Sequence, residues 1–280
     1  MADLIKGIDI STIQGNVDFA ACKAAGLDFV ICRCGVGNGG KDANYDKYVA
    51  QATAAGLQVA AYHFIYPLPP LASQPLRDPV KQAQLHAGWA ATSPVQVVCC
   101  DMEWPLQQDW AKWGCTAAQI AQWTLTYLQA YEAATGIRPV VYTFPYFAQA
   151  LNLPQSFADT YQLWIASYQS TPFVPKPWTS WVLWQDSSGP YHLPISGAVV
   201  DTDKAVDLSL WNVQPAAPVA PPPDPAHNTP VTDPDPVTPP DVEPASAPTP
   251  LPVVAPPAPS PAPVSVWDTI FNFLNGLLKK

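Results

Sequence analysis

The segment DFVICRCGVGNGGKDANYDKYVAQATAAGLQVAAYHFIYP, residues 28–67, carries the pattern that decides the fold. It contains two apolar runs of β type, residues 28–35 and 59–67, separated by a stretch with helical spacing, residues 45–55. Both runs are apolar on both faces, which is typical of strands in a parallel sheet covered by helices. This strand–helix–strand unit therefore predicts a parallel sheet with right-handed crossovers.

Runs of the same kind continue along residues 1–212. The eight predicted strands are GIDIS (7–11), DFVICRCG (28–35), VAAYHFIYP (59–67), VQVVCCDME (95–103), RPVVYTF (138–144), YQLWIASY (161–168), SWVLWQDS (180–187) and AVVDTDKAV (198–206). Helical spacing marks residues 17–25, 45–55, 79–91 and 116–135, with a short piece near 146–151. Gly26 and Gly56 follow helices as left-handed exits. Because little helix separates the later strands, we predict an α/β fold, an irregular (β/α) barrel with eight strands and about five helices.

The composition changes after residue 212. Of the 35 prolines, 20 fall between Pro215 and Pro263, where few aromatic or long aliphatic side chains occur. Such a segment cannot offset the entropy lost when a chain is ordered. We therefore predict three parts: a barrel in residues 1–212, a disordered Pro/Ala-rich linker in 213–263, and a C-terminal amphipathic helix in 264–280.

The last segment, VSVWDTIFNFLNGLLKK (264–280), has apolar residues at helical spacing on one stripe. It is too short to span a bilayer. Three roles stay open: contact with a membrane or the cell envelope, which we favour, self-association, or docking on the barrel. The sequence does not indicate an oligomeric state.

Charge and cysteine usage exclude several classes of function. The net charge is −9, and no basic stripe of the kind that nucleic-acid binding requires is present. The six cysteines lack metal-ligand or CxxC spacing, so we predict buried reduced thiols and no metal or cofactor. The first residues, MADLIK, contain no apolar signal region, so we expect synthesis in a cytoplasm.

Acidic residues occur at the ends of several predicted strands. Asp9 lies near the end of the first strand, Asp101 and Glu103 end the fourth, and Asp201 and Asp203 lie in the eighth. In a strand, residues two apart point to the same face with backbones about 6.5 Å apart. Asp101 and Glu103 therefore point together, near the separation of carboxyl groups in retaining glycosidases. A lone D-x-E can instead cap a loop or bind a cation.

Seven motifs carry a resemblance to a known family. They are GIDIS..QG (Gly7–Gly15), KAAGLDFVICRCG (Lys23–Gly35), AAGLQVAAYHF (Ala54–Phe64), CCDME (Cys99–Glu103), LWIASY (Leu163–Tyr168), LWQ (Leu183–Gln185) and ISGAVVDTD (Ile195–Asp203). In these the chain resembles the family 25 glycoside hydrolases, the CH-type lysozymes, many of which are phage endolysins or bacterial autolysins. The resemblance implies an incomplete β/α barrel with five helices. It also implies cleavage, with retention, of the β-1,4 bond between N-acetylmuramic acid and N-acetylglucosamine in peptidoglycan.

The resemblance also implies roles for the acids. Glu103 would be the general acid/base, and Asp101 the stabilising carboxylate that steers the substrate's N-acetyl group. Asp9 would hold and tune the site. Asp201 would complete it, with Asp207 as a rival because GAVVD departs from the family's spacing and a second Val-Asp pair follows closely.

Substrate contacts are expected from aromatic residues. The resemblance implies that Tyr62 lies beside the acetamido group and that Trp164 and Tyr168 are sugar-stacking or floor residues. Trp184 and Trp104 lie near strand ends, where they could also stack on sugars. His63 lies in an apolar strand, and we predict a core or rim residue rather than a base.

The predicted function is therefore that of a peptidoglycan hydrolase, of the phage endolysin type. Such an enzyme would be made in the host cytoplasm and would reach the wall after a holin-type partner opens the membrane. Two alternatives remain. The first is a non-catalytic glycan-binding or virion structural protein on the same barrel, and the second is a chitin-directed barrel, disfavoured because no DxxDxDxE run occurs.

Overall fold

The structure, a computed structural model, describes residues 4–69, 71–103, 109–189 and 200–212. The strands are β1 Ile5–Ile10, β2 Phe29–Val36, β3 Gly40–Lys41, β4 Gln58–Phe64, β5 Val97–Asp101, β6 Val140–Thr143, β7 Leu163–Ala166, β8 Leu183–Gly189 and β9 Val200–Ala205. The helices are α1 Phe19–Ala24, α2 Tyr45–Ala54, α3 Pro79–Ala91, α4 Ala117–Thr135, α5 Pro145–Leu151 and α6 Gln155–Thr160. Within these ranges no helix is both long and apolar enough to cross a bilayer. The predicted linker and C-terminal helix lie outside the described residues and stay predictions.

Eight of the strands close into a barrel. The sheet order is β1-β9-β8-β7-β6-β5-β4-β2-β3, and an additional pairing of β1 with β2 closes the ring. The two-residue β3 pairs only with the end of β2 and stands outside the ring. The structure confirms the irregular (β/α) barrel. The described residues contain six helices rather than about five, because the short α6 carries no clear helical pattern in the sequence.

The last strand runs against its neighbours. Strands β1, β2 and β4 to β8 are parallel, whereas β9 is antiparallel to both β8 and β1. A parallel connection needs a crossover of a dozen or more residues, usually with a helix, whereas ten residues separate β8 from β9. As a result, the first residues of β9 lie at the same barrel end as the last residues of β1.

Side chains pack in two layers, inside the barrel and between the sheet and its helices. The interior cluster includes Phe29, Tyr142, Trp164 and Leu183. A Cβ atom on Gly7 would lie 2.3 Å from the Phe29 ring, so a larger residue there has no room. The outer layer consists of two clusters that the helices cover. All six cysteines are buried, as predicted.

The helix ends follow the sequence signals. Thr116 accepts a hydrogen bond from the Gln119 backbone N–H at 3.2 Å, and the Gln119 side chain accepts one from the Thr116 N–H at 2.8 Å. This capping box begins α4. Gly26 and Gly56 have φ angles of 91° and 76°, which confirms the predicted left-handed exits.

Candidate active site

The four acids predicted for the site meet at one barrel end. Asp101 is the last residue of β5, and Glu103 follows two residues later. Asp9 lies one residue before the end of β1 and pairs in register with Asp201, the second residue of β9. Directly opposed residues on neighbouring strands point to the same face. The antiparallel direction of β9 therefore brings Asp201 to the mouth formed by the carboxyl ends of the parallel strands.

Asp207, the rival of Asp201, lies at the other end of β9. It is exposed, and its Oδ1 accepts a hydrogen bond of 2.7 Å from the backbone N–H of Ser209. Hydrogen bonding by the Ser209 side chain, and then by its backbone, holds the pKa of the Asp207 carboxyl below its usual range. Because β9 starts at the mouth and runs away from it, the structure brings Asp201 and not Asp207 to Asp9.

Gln185 on β8 holds Asp9 in place. Its Nε2 donates to Oδ2 of Asp9 at 2.7 Å, and its Oε1 accepts from the hydroxyls of Tyr142 at 3.0 Å and Tyr168 at 2.8 Å. The two tyrosine donors identify Oε1 as the acceptor and so leave the amide nitrogen for the carboxylate. Gln185 is only 3% exposed. We predicted no role for this residue, although a glutamine in an apolar strand is a signal that the sequence contains.

Asp203 and Trp164 form a second buried pair beneath the acids. Trp164 Nε1 donates to Oδ1 of Asp203 at 2.8 Å, and Trp164 is 1% exposed. The Tyr62 ring meets Trp164 edge-on, with centroids 6.1 Å apart. Of the two roles predicted for Trp164, this burial fits the floor of the site rather than a sugar-stacking surface. Tyr168 and Tyr62 are half-buried at the mouth, where they can still meet a ligand.

Burial raises the pKa of every acid at the mouth, and repulsion by neighbouring acids adds to the rise for Asp101, Glu103 and Asp201. The pKa of Asp9 rises to about 6, chiefly because the group is desolvated. That of Glu103 rises to about 7 through desolvation and the charge of Asp9. That of Asp201 rises to about 8 through desolvation and the charges of Asp9 and Glu103. Desolvation and the Glu103 charge also raise the pKa of Asp101 well above its ordinary value. The site therefore retains protons near neutral pH.

Arg33 brings a positive charge to the same mouth. It lies opposite Tyr62 in the β2–β4 register, and its Nε and Nη2 lie 3.0 and 2.9 Å from Oδ2 of Asp42. The Thr12 backbone N–H donates to the same oxygen at 3.0 Å. The Arg33 charge lowers the pKa of Asp101, although burial outweighs it. Neither Arg33 nor Asp42 was predicted to contribute to the site.

Trp184, one of the predicted sugar contacts, lies in the cluster outside the barrel and not at the mouth. The Trp184 side chain is 4% exposed. Its Nε1 donates to the Ser167 carbonyl at 2.7 Å. Lys204 Nζ lies 4.5 Å from the centroid of the Trp184 ring. Because β8 turns Gln185 inward, its neighbour Trp184 must point outward. This position does not fit a sugar-stacking residue and corrects the prediction. Trp104 lies outside the described residues.

His63 is a core residue, as predicted. It is fully buried on the outward side of β4, and its ring stacks on His86 with centroids 4.7 Å apart. Burial lowers the pKa of His63 to about 3, so the ring is neutral. A neutral histidine packed behind the sheet cannot exchange protons with a substrate at the mouth.

The raised pKa values predict how stability depends on pH. A group whose pKa is higher in the folded than in the unfolded state stabilises the fold while it is protonated, and this contribution is lost as the pH rises through the folded value. For Asp9, Glu103 and Asp201 the folded values are about 6, 7 and 8. We expect the free energy of unfolding to fall as the pH rises from about 5 to about 8.

Urea unfolding at a series of pH values measures this effect. Asp201→Asn should lessen the decline and be more stable than the wild type at the alkaline end, because it removes a charge that burial disfavours. Asp207→Asn is the matched control, since Asp207 is exposed and should leave the slope unchanged. A stability that rises over this pH interval would show that the mouth acids are ionised at low pH.

The arrangement defines a class of protein. Paired carboxyl groups at the carboxyl end of a β/α barrel, one of them protonated near neutral pH, are the machinery with which glycoside hydrolases cleave sugar chains. The family model described as "Glycosyl hydrolases family 25" matches residues 8–192. The chain belongs to glycoside hydrolase family 25.

Individual relatives agree with this assignment. The chain is 28% identical over 195 residues to an N,O-diacetylmuramidase of Chalaropsis sp, an alignment that covers 65% of this chain and 88% of the relative. It is 26% identical over 210 residues to lysozyme M1 of Streptomyces globisporus, covering 74% and 68%. Among solved structures, a family GH25 lysozyme from Aspergillus fumigatus superposes with a TM-score of 0.61 at 27% identity, covering 75% of this chain and 99% of that one.

Proposed function

We propose that this glycoside hydrolase is a muramidase, which hydrolyses the β-1,4 bond between N-acetylmuramic acid and N-acetylglucosamine in peptidoglycan. The observation that carries the proposal is the acid cluster at the barrel mouth, with Asp101 and Glu103 two residues apart. The names of the relatives, N,O-diacetylmuramidase and lysozyme, support the substrate. The negative net charge of the chain also favours a wall polymer over a nucleic acid.

Glu103 is the proposed general acid/base. With a pKa of about 7 it keeps a proton on a large fraction of molecules at neutral pH. In the first step this proton passes to the glycosidic oxygen as the bond to the leaving sugar breaks. In the second step the Glu103 carboxylate takes a proton from the attacking water, which restores the acid.

Asp101 is the proposed stabilising carboxylate. Its Oδ1 is buried and has no hydrogen-bond partner among the described residues. The N–H of the substrate's acetamido group would donate to the Asp101 carboxylate and orient the acetamido carbonyl toward the anomeric carbon. Such a bond favours the charged form of Asp101, as the nearby Arg33 does. The acetamido oxygen first displaces the leaving sugar from the anomeric carbon, and water then displaces the acetamido oxygen. Two successive inversions leave the product with the configuration of the substrate.

Asp9 and Asp201 are proposed to complete the site. Gln185 fixes the Asp9 carboxylate, whose charge raises the pKa of Glu103. Asp201 lies directly across from Asp9 in the strand register. Together these two acids would keep the proton on Glu103 until the substrate arrives, with Tyr62 and Tyr168 at the sides of the bound sugar.

Identification of the new reducing ends tests the proposed function. Purified peptidoglycan is digested with the full-length chain, reduced with borohydride and hydrolysed, and the sugar alcohols are identified. Muramitol is the expected product. Glucosaminitol would mean a glucosaminidase, and new amino groups without new reducing ends would mean an amidase or peptidase.

We propose further that the enzyme acts in host lysis, as a phage endolysin that reaches the wall through a membrane opened by a holin-type partner. The amphipathic pattern of residues 264–280 beyond a proline-rich spacer supports envelope contact. Expression in the cytoplasm of a susceptible bacterium tests this role. Lysis is expected only when a membrane-opening protein is co-expressed, and lysis without one would contradict the proposed route.

A further inference from the structure

Exposed apolar side chains gather around the mouth. Six large hydrophobic residues of the described ranges are exposed. Four of them lie in segments that follow the carboxyl end of a parallel strand: Ile13 after β1, Leu71 after β4, Tyr146 after β6 and Phe173 after β7. These four segments lie at the barrel end where the substrates of such barrels bind. Two of the four are aromatic, Tyr146 at 50% and Phe173 at 49% exposure, and we call these two the aromatic rim.

Phe173 is tied to the segment that carries the acid network. Its backbone N–H donates to Oγ of Ser167 at 3.1 Å, and the Ser167 N–H donates to the Gln185 carbonyl at 3.0 Å. The next residue, Tyr168, donates its hydroxyl to the Gln185 side chain. Two successive hydrogen bonds thus connect Phe173 to Gln185, the residue that fixes Asp9. About half of the Phe173 surface stays open to solvent.

Tyr146 is fixed on the adjoining stretch of the mouth. It lies in the first turn of α5, which begins two residues after β6 ends. Phe144 and Phe147 on either side pack together, with centroids 5.7 Å apart, and Phe147 is fully buried. Those neighbours turn inward while Tyr146 remains outside. Because β6 and β7 are paired strands, both members of the aromatic rim border the same part of the mouth.

We propose that the aromatic rim binds sugar units of the glycan chain beyond the two that flank the cleaved bond. The inference rests on the proposed function. When a bond inside a polysaccharide enters the mouth of the barrel, the rest of the polysaccharide must extend outward over the edge of the mouth. Sugar rings present a face of C–H groups that packs on an aromatic ring, while the hydroxyls at their edges stay in water. A half-exposed aromatic ring fits this ligand, because a sugar needs only one open face of the ring to pack against.

The test compares glycan substrates of two lengths. Tyr146→Ala/Phe173→Ala should lower kcat/KM on long, peptide-free glycan strands by about tenfold, as expected when two contact side chains are truncated. On the disaccharide of N-acetylmuramic acid β-1,4-linked to N-acetylglucosamine, which fills only the two positions that flank the cleaved bond, kcat/KM should stay at the wild-type value. Tyr146→Phe/Phe173→Tyr keeps both rings and should retain the rate on long strands.

Val206→Ala is the matched control. Val206 is 51% exposed but follows β9 at the opposite end of the barrel, so its loss should affect neither substrate. An unchanged rate on long strands, or an equal loss on both substrates, would overturn the proposal. A wild-type enzyme that cleaves neither substrate would instead refute the proposed function, and the two failures are thus distinguishable.

Discussion

Glu103→Gln is expected to lower kcat on peptidoglycan by about 10²–10⁴-fold, the usual contribution of a general acid. The amide has nearly the same shape as the protonated carboxyl group but has no acidic proton to give to the glycosidic oxygen. Folding should be unaffected. The variant should even gain stability at alkaline pH, because the Glu103 charge is disfavoured by burial and by Asp9. Release of soluble glycan and urea unfolding measure the two effects.

Glu132→Gln is the matched control for this variant. Glu132 lies in α4 on the protein surface, where its Oε1 pairs with Arg138 Nη2 at 2.7 Å. Surface ion pairs contribute little, so this change should leave both activity and folding near wild type. A Glu103→Gln enzyme that digests walls at the wild-type rate would show that another group donates the proton.

Asp101→Asn should lower kcat by about 10²–10³-fold, the range found when one preorganised electrostatic contact is removed from a transition state. The loss should appear in kcat more than in KM, because the Asp101 charge acts mainly as positive charge develops at the anomeric carbon. Burial of an amide in place of a charge should leave the barrel folded.

Steady-state kinetics on solubilised glycan strands separates the two constants. Asp207→Asn makes the same chemical change at the far end of the barrel and should have no effect on either. If Asp101→Asn raised KM with kcat unchanged, Asp101 would bind the substrate without assisting its cleavage.

Much of the site could be predicted from the sequence because strand ends can be read from a chain. Apolar runs bounded by turns locate the ends of β1 and β5, and barrel closure then brings Asp9, Asp101 and Glu103 together. The direction of β9 could not be predicted, because the run of apolar residues that indicates a strand does not depend on whether the strand is parallel or antiparallel to its neighbours. The strand register distinguishes Asp201 from Asp207.

Other features depend on contacts between distant parts of the chain. Gln185 and Asp9 are 176 residues apart, so only the closed barrel reveals that one holds the other. The error on Trp184 has a different cause. Strands buried on both faces are apolar throughout, so alternation does not tell which residues point inward. Only the position of the helices places Trp184 outside and Gln185 inside.

The central claim is that Asp101 and Glu103 act together on one bond of the peptidoglycan glycan and leave a retained muramic acid end. Proton NMR of purified glycan strands, recorded during the first minutes after full-length enzyme is added, tests it most directly. The account predicts that new anomeric signals belong to muramic acid and appear first in the β configuration, with the α form following by mutarotation. First appearance of the α form, or new signals from N-acetylglucosamine, would contradict the account.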